Sequence, residues 1–237
     1  MTRLSVNINK IATLRNARGE DYPNLLKTAQ DIISFGAQGI TIHPRPDQRH
    51  IRYSDALELK GKINTELNIE GNPSKKFINL VNEIKPEQVT LVPDSEDAIT
   101  SSAGWDTINN FSFLSDIVEE FHSNSIRVSI FIDPDITMLE GAKKIKADRV
   151  ELFTGPYAKE YNIDKLKAIE KYIQCSEVAD EINLDLNAGH DLNQDNLTFF
   201  IKSIKTIKEV SLGHALISES LYTGLESTIK SYLDILK

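Results

Sequence analysis

The sequence has few of the features that secreted, membrane-bound or nucleic-acid-binding proteins need. Its one cysteine, Cys175, can form neither an internal disulfide nor a zinc-type cysteine cluster. No apolar run approaches the roughly 18 residues of a membrane span, and the first ten residues contain no apolar signal core. Acidic residues outnumber basic ones by 35 to 27, which argues against a polyanion such as nucleic acid as the main partner. We therefore expect a cytoplasmic protein that binds neither nucleic acid nor membrane.

Short β-rich runs alternate with longer stretches of helical periodicity along the whole chain. The runs predict strands over residues 4–9, 39–43, 67–70, 88–92, 127–132, 149–153, 182–187 and 209–213. Strand-then-helix alternation requires parallel strands, which leaves a closed barrel or an open doubly wound sheet. The number of strands favours a (β/α)₈ barrel. Because no Gly/Ser-rich linker interrupts the pattern, we expect one domain over residues 1–237.

Titratable side chains stand where several of these strands end. His43, Glu70 and His190 are placed in this way. In a parallel barrel such ends share one face, which is the usual location of catalysis. Glu151 lies within a strand, and it must point into the barrel or be paired because a lone buried charge is costly. The alternative for each residue is a structural hydrogen bond or ion pair.

Two strand exits suggest that the bound molecule is an anion. Gly213 and His214 open a helix after the eighth strand, where backbone N–H groups and the helix dipole favour a phosphate. Phosphate sites of barrels often follow strands seven and eight. After the second strand, Arg45 and His50 fall within one loop, although this loop could equally be a solvated charged run.

The exit of the first strand, VNINKIATLRNARG, is the most distinctive segment. Asn7 and Asn9 are expected on the same side of the strand, with Lys10 at its end. Arg18 is expected in a loop closed by Gly19. Two amides beside cations suit a phosphorylated ligand, and the alternative is a solvated basic loop.

Taken in order, the segments VNINKIATLRNARG, GITIHPRPDQRHI, NIEGNPS, RVELFTG, NAGHDL and GHALI resemble the pyridoxine 5′-phosphate synthase family over nearly the whole chain. The resemblance implies a (β/α)₈ TIM barrel with extra helices. It also implies condensation of 1-deoxy-D-xylulose 5-phosphate with 3-amino-2-oxopropyl phosphate in vitamin B6 biosynthesis. The products would be pyridoxine 5′-phosphate, inorganic phosphate and water. No metal or organic cofactor is implied, and the family assembles as homo-octamers.

The same resemblance implies a role for each matching residue. The two bases fall on His43 and Glu70, the proton donor on His190, and a carboxylate that supports the transition state on Glu151. The residues implied for the aminoketone phosphate are Asn7, Arg18, Gly213 and His214. Those implied for the pentulose phosphate are Arg45, His50 and Thr100.

Three positions depart from the family's pattern. Asn9 and Lys10 stand where the family commonly has an aspartate and a histidine, near the pentulose phosphate. Asp191 stands where a glycine usually follows the donor histidine. We expect all three to contact substrate, with contacts that differ from the family's own.

Two other functions fit part of the pattern. Another phosphate-binding barrel lyase or isomerase would share the fold, and a Schiff-base lysine at a strand end would favour it; Lys10 is placed for that role. A non-catalytic sugar-phosphate binding protein would not need Glu70 and His190 together.

Overall fold

The computed structural model describes residues 1–95, 98 and 100–237. Its eight strands pair in chain order, all in parallel, and the first pairs with the last. The expected (β/α)₈ barrel is therefore confirmed, and an open sheet is excluded. The strands are β1 (Arg3–Asn7), β2 (Gly39–Ile42), β3 (Glu66–Gly71), β4 (Gln88–Leu91), β5 (Arg127–Ile132), β6 (Arg149–Phe153), β7 (Asp185–Gly189) and β8 (Ile207–Leu212).

The described residues form eleven helices, more than the one per strand that a plain barrel needs. They are α1 (Asn9–Arg18), α2 (Leu25–Ser34), α3 (Tyr53–Lys62), α4 (Lys75–Ile84), α5 (Phe111–Ser123), α6 (Ile136–Lys144), α7 (Gly155–Glu160), α8 (Lys165–Glu181), α9 (Gln194–Ser203), α10 (His214–Thr223) and α11 (Leu225–Ile235). In this part of the chain no helix has both the length and the apolar character to cross a membrane.

The main hydrophobic core lies between the barrel and its helices. In α4 the apolar residues recur every three or four positions, and Phe77, Leu80, Val81 and Ile84 are buried. The alternate residues of each strand that face these helices are apolar, such as Ile40 in β2, which is fully buried. This arrangement leaves the inward-facing residues free to differ in character.

The interior of the barrel is polar. The Ser5 and Thr41 hydroxyls are 2.7 Å apart, and Asn68 Nδ2 donates to Thr41 Oγ1 at 3.4 Å. On the next strand the Thr90 hydroxyl donates to Asn68 Oδ1 at 3.0 Å. These inward positions are thus filled by small polar side chains and not by apolar ones. Buried polar groups are tolerated here because they hydrogen-bond to one another.

The exit of the first strand differs from the expectation. β1 ends at Asn7 because its side-chain Oδ1 accepts a hydrogen bond from the backbone N–H of Asn9 at 3.0 Å, which turns the chain. The segment that we expected to be a loop is α1, and Gly19 ends it with a left-handed φ of 81°. Asn7 and Asn9 therefore do not lie on one strand face.

The seventh strand also begins later than expected, at Asp185 instead of residue 182. Helix α8 runs to Glu181, Ile182 is its C-cap, and Asn183 has a left-handed φ of 53°. The residues that we took for the start of an extended strand are needed to turn the chain out of the helix. The last two helices, α10 and α11, are separated at Gly224, where φ is 83°.

A buried ion pair joins α1 to α3 beside the carboxyl ends of the strands. Arg15, which is 2% exposed, donates from Nη1 and Nη2 to the two oxygens of the Asp55 carboxylate, each at 2.8 Å. It also donates to the backbone carbonyl of His50 at 3.3 Å. The pair thus fixes the end of the loop that follows β2.

Replacing Asp55 with alanine should be strongly destabilising, because it leaves the Arg15 charge buried without a partner. We expect a loss of about 3–5 kcal/mol in the free energy of unfolding, measured by urea denaturation. Glu58→Ala on the same helix is the matched control. It removes an exposed pair with Lys62 and should cost less than about 1 kcal/mol. Equal losses of stability in the two variants would contradict the view that the buried Arg15–Asp55 pair stabilises the fold.

Candidate active site

A cavity of about 590 Å³ opens where the eight strands end. This volume is within the usual range for small-molecule sites. Of the residues singled out in the sequence, the cavity is lined by Asn7, Asn9, Lys10, His43, Arg45, His50, Glu70, Thr100, Glu151, His190, Asp191, Gly213 and His214. The structure thus brings together side chains from both ends of the chain.

Arg18 is the singled-out residue that does not line the cavity. It lies in the last turn of α1, its side chain is 80% exposed, and its Nε is 3.9 Å from Glu20 Oε2. Its contact with a substrate phosphate stays a prediction.

Two carboxylates lie at the bottom of the cavity. Burial and the charge of Asp94 raise the pKa of Glu70 to about 8, against the opposing effects of Arg45 and a hydrogen bond with Ser211. Burial and the charge of Glu70 also raise the pKa of Glu151 well above its ordinary value. Such a pair titrates together, and near neutral pH it retains protons that exposed carboxylates would have lost.

The space around these carboxylates is provided by small neighbours. A Cβ atom on Gly189 would lie 2.2 Å from Glu151 Oε1, so a glycine is needed at that point of β7. Asn7 Nδ2 contacts Glu70 Oε2 at 3.4 Å. Among the described residues, Glu151 Oε2 has no hydrogen-bond partner. That oxygen is also shielded from solvent, which adds to the cost of a charge on this carboxyl group.

The exit of β2 carries two imidazoles and a buried guanidinium. Burial, with the charge of Arg45, lowers the pKa of His43 well below its usual range. The same two causes lower the pKa of His50 to about 4. The backbone N–H of Ile51 donates to His50 Nδ1 at 2.9 Å, a bond that only an unprotonated nitrogen can accept. Both imidazoles are therefore neutral at neutral pH, and each can accept a proton.

Asn9 supports His43 from the start of α1. Its Oδ1 accepts a hydrogen bond from the His43 backbone N–H at 2.9 Å. The expected substrate contact of Asn9 is thus accompanied by a structural one, which joins the exits of β1 and β2.

Asp94 is a site residue that the sequence reasoning missed. Its carboxylate accepts from Arg45 at 2.7 Å and from the Ser101 hydroxyl at 2.8 Å, and the ion pair is buried. The signal that could have revealed it is its position: Asp94 comes three residues after β4 ends at Leu91. Arg45 is therefore already partly neutralised before any phosphate binds.

His190 is held from several sides. Its Nε2 lies 2.8 Å from the Thr100 hydroxyl, and its Nδ1 lies 3.0 Å from Asp191 Oδ2. The ring of Phe153 packs edge-on against the imidazole, with centroids 5.0 Å apart. His190 and Asp191 both have left-handed backbones, with φ values of 88° and 59°.

The exit of β8, next to that of β7, suits an anion. Gly213 is the N-cap of α10, whose first residue is His214, so the backbone N–H groups of the first turn are at the cavity. Lys10 lines the same mouth. Among the described residues, the Lys10 side chain makes no hydrogen bond or ion pair. In this part of the chain, no three His, Cys, Asp or Glu side chains are grouped as metal ligands.

A (β/α)₈ barrel whose strand ends combine coupled carboxylates, neutral imidazoles and an anion-binding rim defines a class: barrel enzymes that move protons on anionic substrates. The chain belongs to one family of that class. Residues 4–237 match the model of the family "Pyridoxal phosphate biosynthesis protein PdxJ". The resemblance drawn from the sequence segments is thereby confirmed.

Curated relatives agree over the full length. The chain is 59% identical to the pyridoxine 5′-phosphate synthase of Flavobacterium johnsoniae over 237 residues, which is 100% of both chains. It is 59% identical to the enzyme of that name from Cytophaga hutchinsonii and 56% identical to the one from Christiangramia forsetii, again over all of both chains.

Solved structures agree on the fold. The dimeric phosphoribosylanthranilate isomerase of Thermotoga maritima superposes with a TM-score of 0.62 at 14% identity, covering 100% of this chain and 98% of the other. The thiamine phosphate pyrophosphorylase of Pyrococcus furiosus gives a TM-score of 0.60 at 10% identity, covering 99% and 95%. At these identities the likeness is one of architecture.

The raised pKa of Glu70 predicts a pH-dependent cost to stability. The folded protein keeps this proton up to about pH 8, whereas the unfolded chain releases it near 4.5, so stability falls as pH rises through that window. Glu70→Gln should therefore be more stable than the parent at pH 8, with a free energy of unfolding, measured by urea denaturation, that is higher by on the order of a few kcal/mol. It should lose this advantage near pH 4.5. Glu83→Gln, an exposed change on α4, is the control for losing one carboxylate. An advantage for Glu70→Gln that does not vary with pH would contradict the assignment.

Proposed function

We propose that this chain is a pyridoxine 5′-phosphate synthase. It condenses 1-deoxy-D-xylulose 5-phosphate with 3-amino-2-oxopropyl phosphate and releases pyridoxine 5′-phosphate, inorganic phosphate and water. The observation that carries this proposal is the convergence of proton-transfer groups and anion-binding groups in one cavity, in a chain of this family.

Each phosphate is assigned to one part of the rim. Asn7, Gly213 and His214 hold the aminoketone phosphate, at the N-terminus of α10. The pentulose phosphate is held on the other side by Arg45, His50 and Thr100, with Asn9 and Lys10 close by. Since Arg45 is paired with Asp94, Lys10 supplies the unpaired positive charge there. Asp191 lies between the two regions and contacts substrate from the loop after β7.

Proton removal is assigned to His43 and Glu70. Imine formation, dehydration and ring closure all require protons to be moved at neighbouring carbons. His43 is neutral and can accept a proton, and a phosphate nearby would offset the positive charges that now lower its pKa. Glu70 and Glu151 share protons in the relevant pH range, so Glu70 can exchange one with substrate while Glu151 supports the developing charge.

Proton return is assigned to His190. Its ring is fixed at the cavity wall by Phe153 and Thr100, so a proton on the ring can be delivered along one direction. It protonates the hydroxyl that leaves as water. No resident metal or cofactor is part of this scheme.

Three further expectations belong to the proposal, the first two drawn from the sequence and the third implied by the family resemblance. They are a cytoplasmic location, one catalytic domain over residues 1–237 and assembly into a homo-octamer. Large exposed apolar side chains such as Leu221 and Tyr222, 76% and 92% exposed, support association between copies.

His190→Asn should lower kcat roughly 10²- to 10⁴-fold, because general acid catalysis contributes that much and asparagine cannot supply the proton. Purified protein would be incubated with both substrates while the ultraviolet absorbance of the pyridine ring is followed. His122→Asn is the matched control, since this histidine pairs with Asp148 outside the cavity. Full turnover by His190→Asn would contradict the donor role, and no product from the unaltered protein would contradict the proposed function.

Lys10→Met should weaken binding of the pentulose phosphate. A charge-assisted hydrogen bond is worth about 1.5–3 kcal/mol, so KM for this substrate should rise roughly 10- to 100-fold. We expect kcat to change little, because the phosphate is held equally in the ground and transition states. Lys27→Met, on the remote surface of α2, is the control. An unchanged KM would remove Lys10 from the site.

A further inference from the structure

Asp191 directly follows the proposed proton donor, and its Oδ2 lies 3.0 Å from His190 Nδ1. We propose that Asp191 is a positioning residue for His190: it keeps a proton on Nδ1, directs Nε2 at the substrate and stabilises the imidazolium. This inference rests on the proposed role of His190 as donor. It assigns to Asp191 a task that is separate from any contact with substrate.

The two ring nitrogens of His190 have different surroundings. Nδ1 is shielded from solvent, and the described residues offer it no hydrogen bond of good geometry, so the Asp191 carboxylate acts on it mainly as a charge. Nε2 faces the Thr100 hydroxyl at 2.8 Å. A hydroxyl can be replaced by a substrate oxygen, whereas a shielded nitrogen cannot reach one. Proton delivery therefore occurs through Nε2.

The loop holds both residues in an unfavourable backbone conformation. His190 and Asp191 have φ values of 88° and 59°, where side-chain-bearing residues are uncommon. The Thr154 hydroxyl binds the carbonyls of Gly189 and His190, and Asn196 Nδ2 donates to the Asp191 carbonyl at 3.2 Å. Glycine would avoid the strain at position 191. A strained residue retained beside reacting groups is typical of a functional site.

The charges around His190 make Asp191 its main electrostatic partner. Glu151 on β6 and Glu70 on β3 lie below it in the cavity, and Lys159 on α7 and His214 on α10 face Asp191. Among the described residues, the carboxylate in contact with the ring is that of Asp191. The contact with His190 lowers the pKa of Asp191, so this carboxylate is charged at neutral pH.

Substrate should strengthen this interaction. The Asp191 side chain is 48% exposed, so water screens its charge while the cavity is open. A molecule in the cavity displaces that water and lowers the local dielectric. In the proton-transfer step, the C–O bond breaks with its electron pair on oxygen, and the Nε2 proton completes the water molecule. The neutral imidazole that remains keeps its proton on Nδ1, beside Asp191.

Two substitutions separate charge from backbone strain. Asparagine and glycine both tolerate a left-handed φ, so Asp191→Asn and Asp191→Gly should fold as well as the parent. We expect kcat to fall roughly ten- to a hundredfold in both variants, since each removes the charge that acts on Nδ1. The fall in kcat should exceed any rise in KM, because the effect of Asp191 on His190 appears in kcat and its separate contact with substrate appears in KM. Without the negative charge, the alkaline limb of the kcat profile should move to lower pH.

Asp195→Asn is the matched control. It removes an acidic side chain that is exposed on nearby α9 and lies outside the cavity, so its kcat profile should follow that of the parent. Parental kcat and pH profile in Asp191→Gly would overturn the inference and leave the proposed function standing.

A second measurement does not depend on activity. In ¹⁵N NMR of histidine-labelled protein, with His190 assigned by comparison with His190→Gln, the neutral ring should carry its proton on Nδ1. In Asp191→Gly the proton should shift toward Nε2. A parent ring protonated on Nε2 with a bare Nδ1 would overturn the inference. If the parent makes no pyridine product, the proposed function fails, and the NMR result still decides whether Asp191 positions the ring.

Discussion

The site depends on the pairing of β1 with β8. Val6 lies opposite Leu212 across this last parallel ladder, although more than two hundred residues separate them along the chain. Closure places Asn7 beside Gly213, close enough that a Cβ on the glycine would lie 3.1 Å from that of the asparagine. The glycine turn that opens α10 and the asparagines at the exit of β1 thereby line one rim.

Closure also separates two kinds of burial. Apolar side chains are buried between the strands and the helices, where the hydrophobic effect stabilises the fold. The inward-facing positions are correspondingly free to be polar, and Ser5, Thr41, Asn68 and Thr90 form a hydrogen-bonded set there. Glu70 and Glu151 stand above this set. Glu151 is buried and Glu70 is half-buried, and this partly polar environment allows both carboxyl groups to retain protons.

The order of strands and the location of the site could be predicted from the sequence. Alternation of strand and helix limits the fold to two architectures, and polar residues at strand ends must meet on one face of either barrel or sheet. The sequence alone was therefore enough to predict that His43, Glu70 and His190 lie near one another. The strand that contains Glu151 likewise limited this charge to two positions, inside the barrel or in an ion pair.

What the sequence could not give depends on contacts between distant residues. The Asn7 side chain turns the chain into α1, but the residue type alone does not tell whether an asparagine ends a strand or lies within one. Arg15 lies in the segment that was expected to be a loop, and nothing near it in the sequence points to its partner Asp55, forty positions later. Asp94 was missed for the same reason, because its importance comes from Arg45 and Ser101 on other loops. Periodicity describes one element at a time, whereas these pairings describe how elements meet.

The distribution of positive charge at the rim explains how an acidic protein can bind two phosphates. Arg15 and Arg45 are each neutralised by a buried carboxylate, so they shape the loops without adding a net charge to the cavity. Lys10 and the N-terminus of α10 have no such compensation among the described residues, and they lie at separate points of the rim. A phosphate gains most where a cation or a dipole is unpaired. Under the proposed function, the two phosphates are therefore assigned to these two places, and the middle of the cavity is left to the groups that move protons.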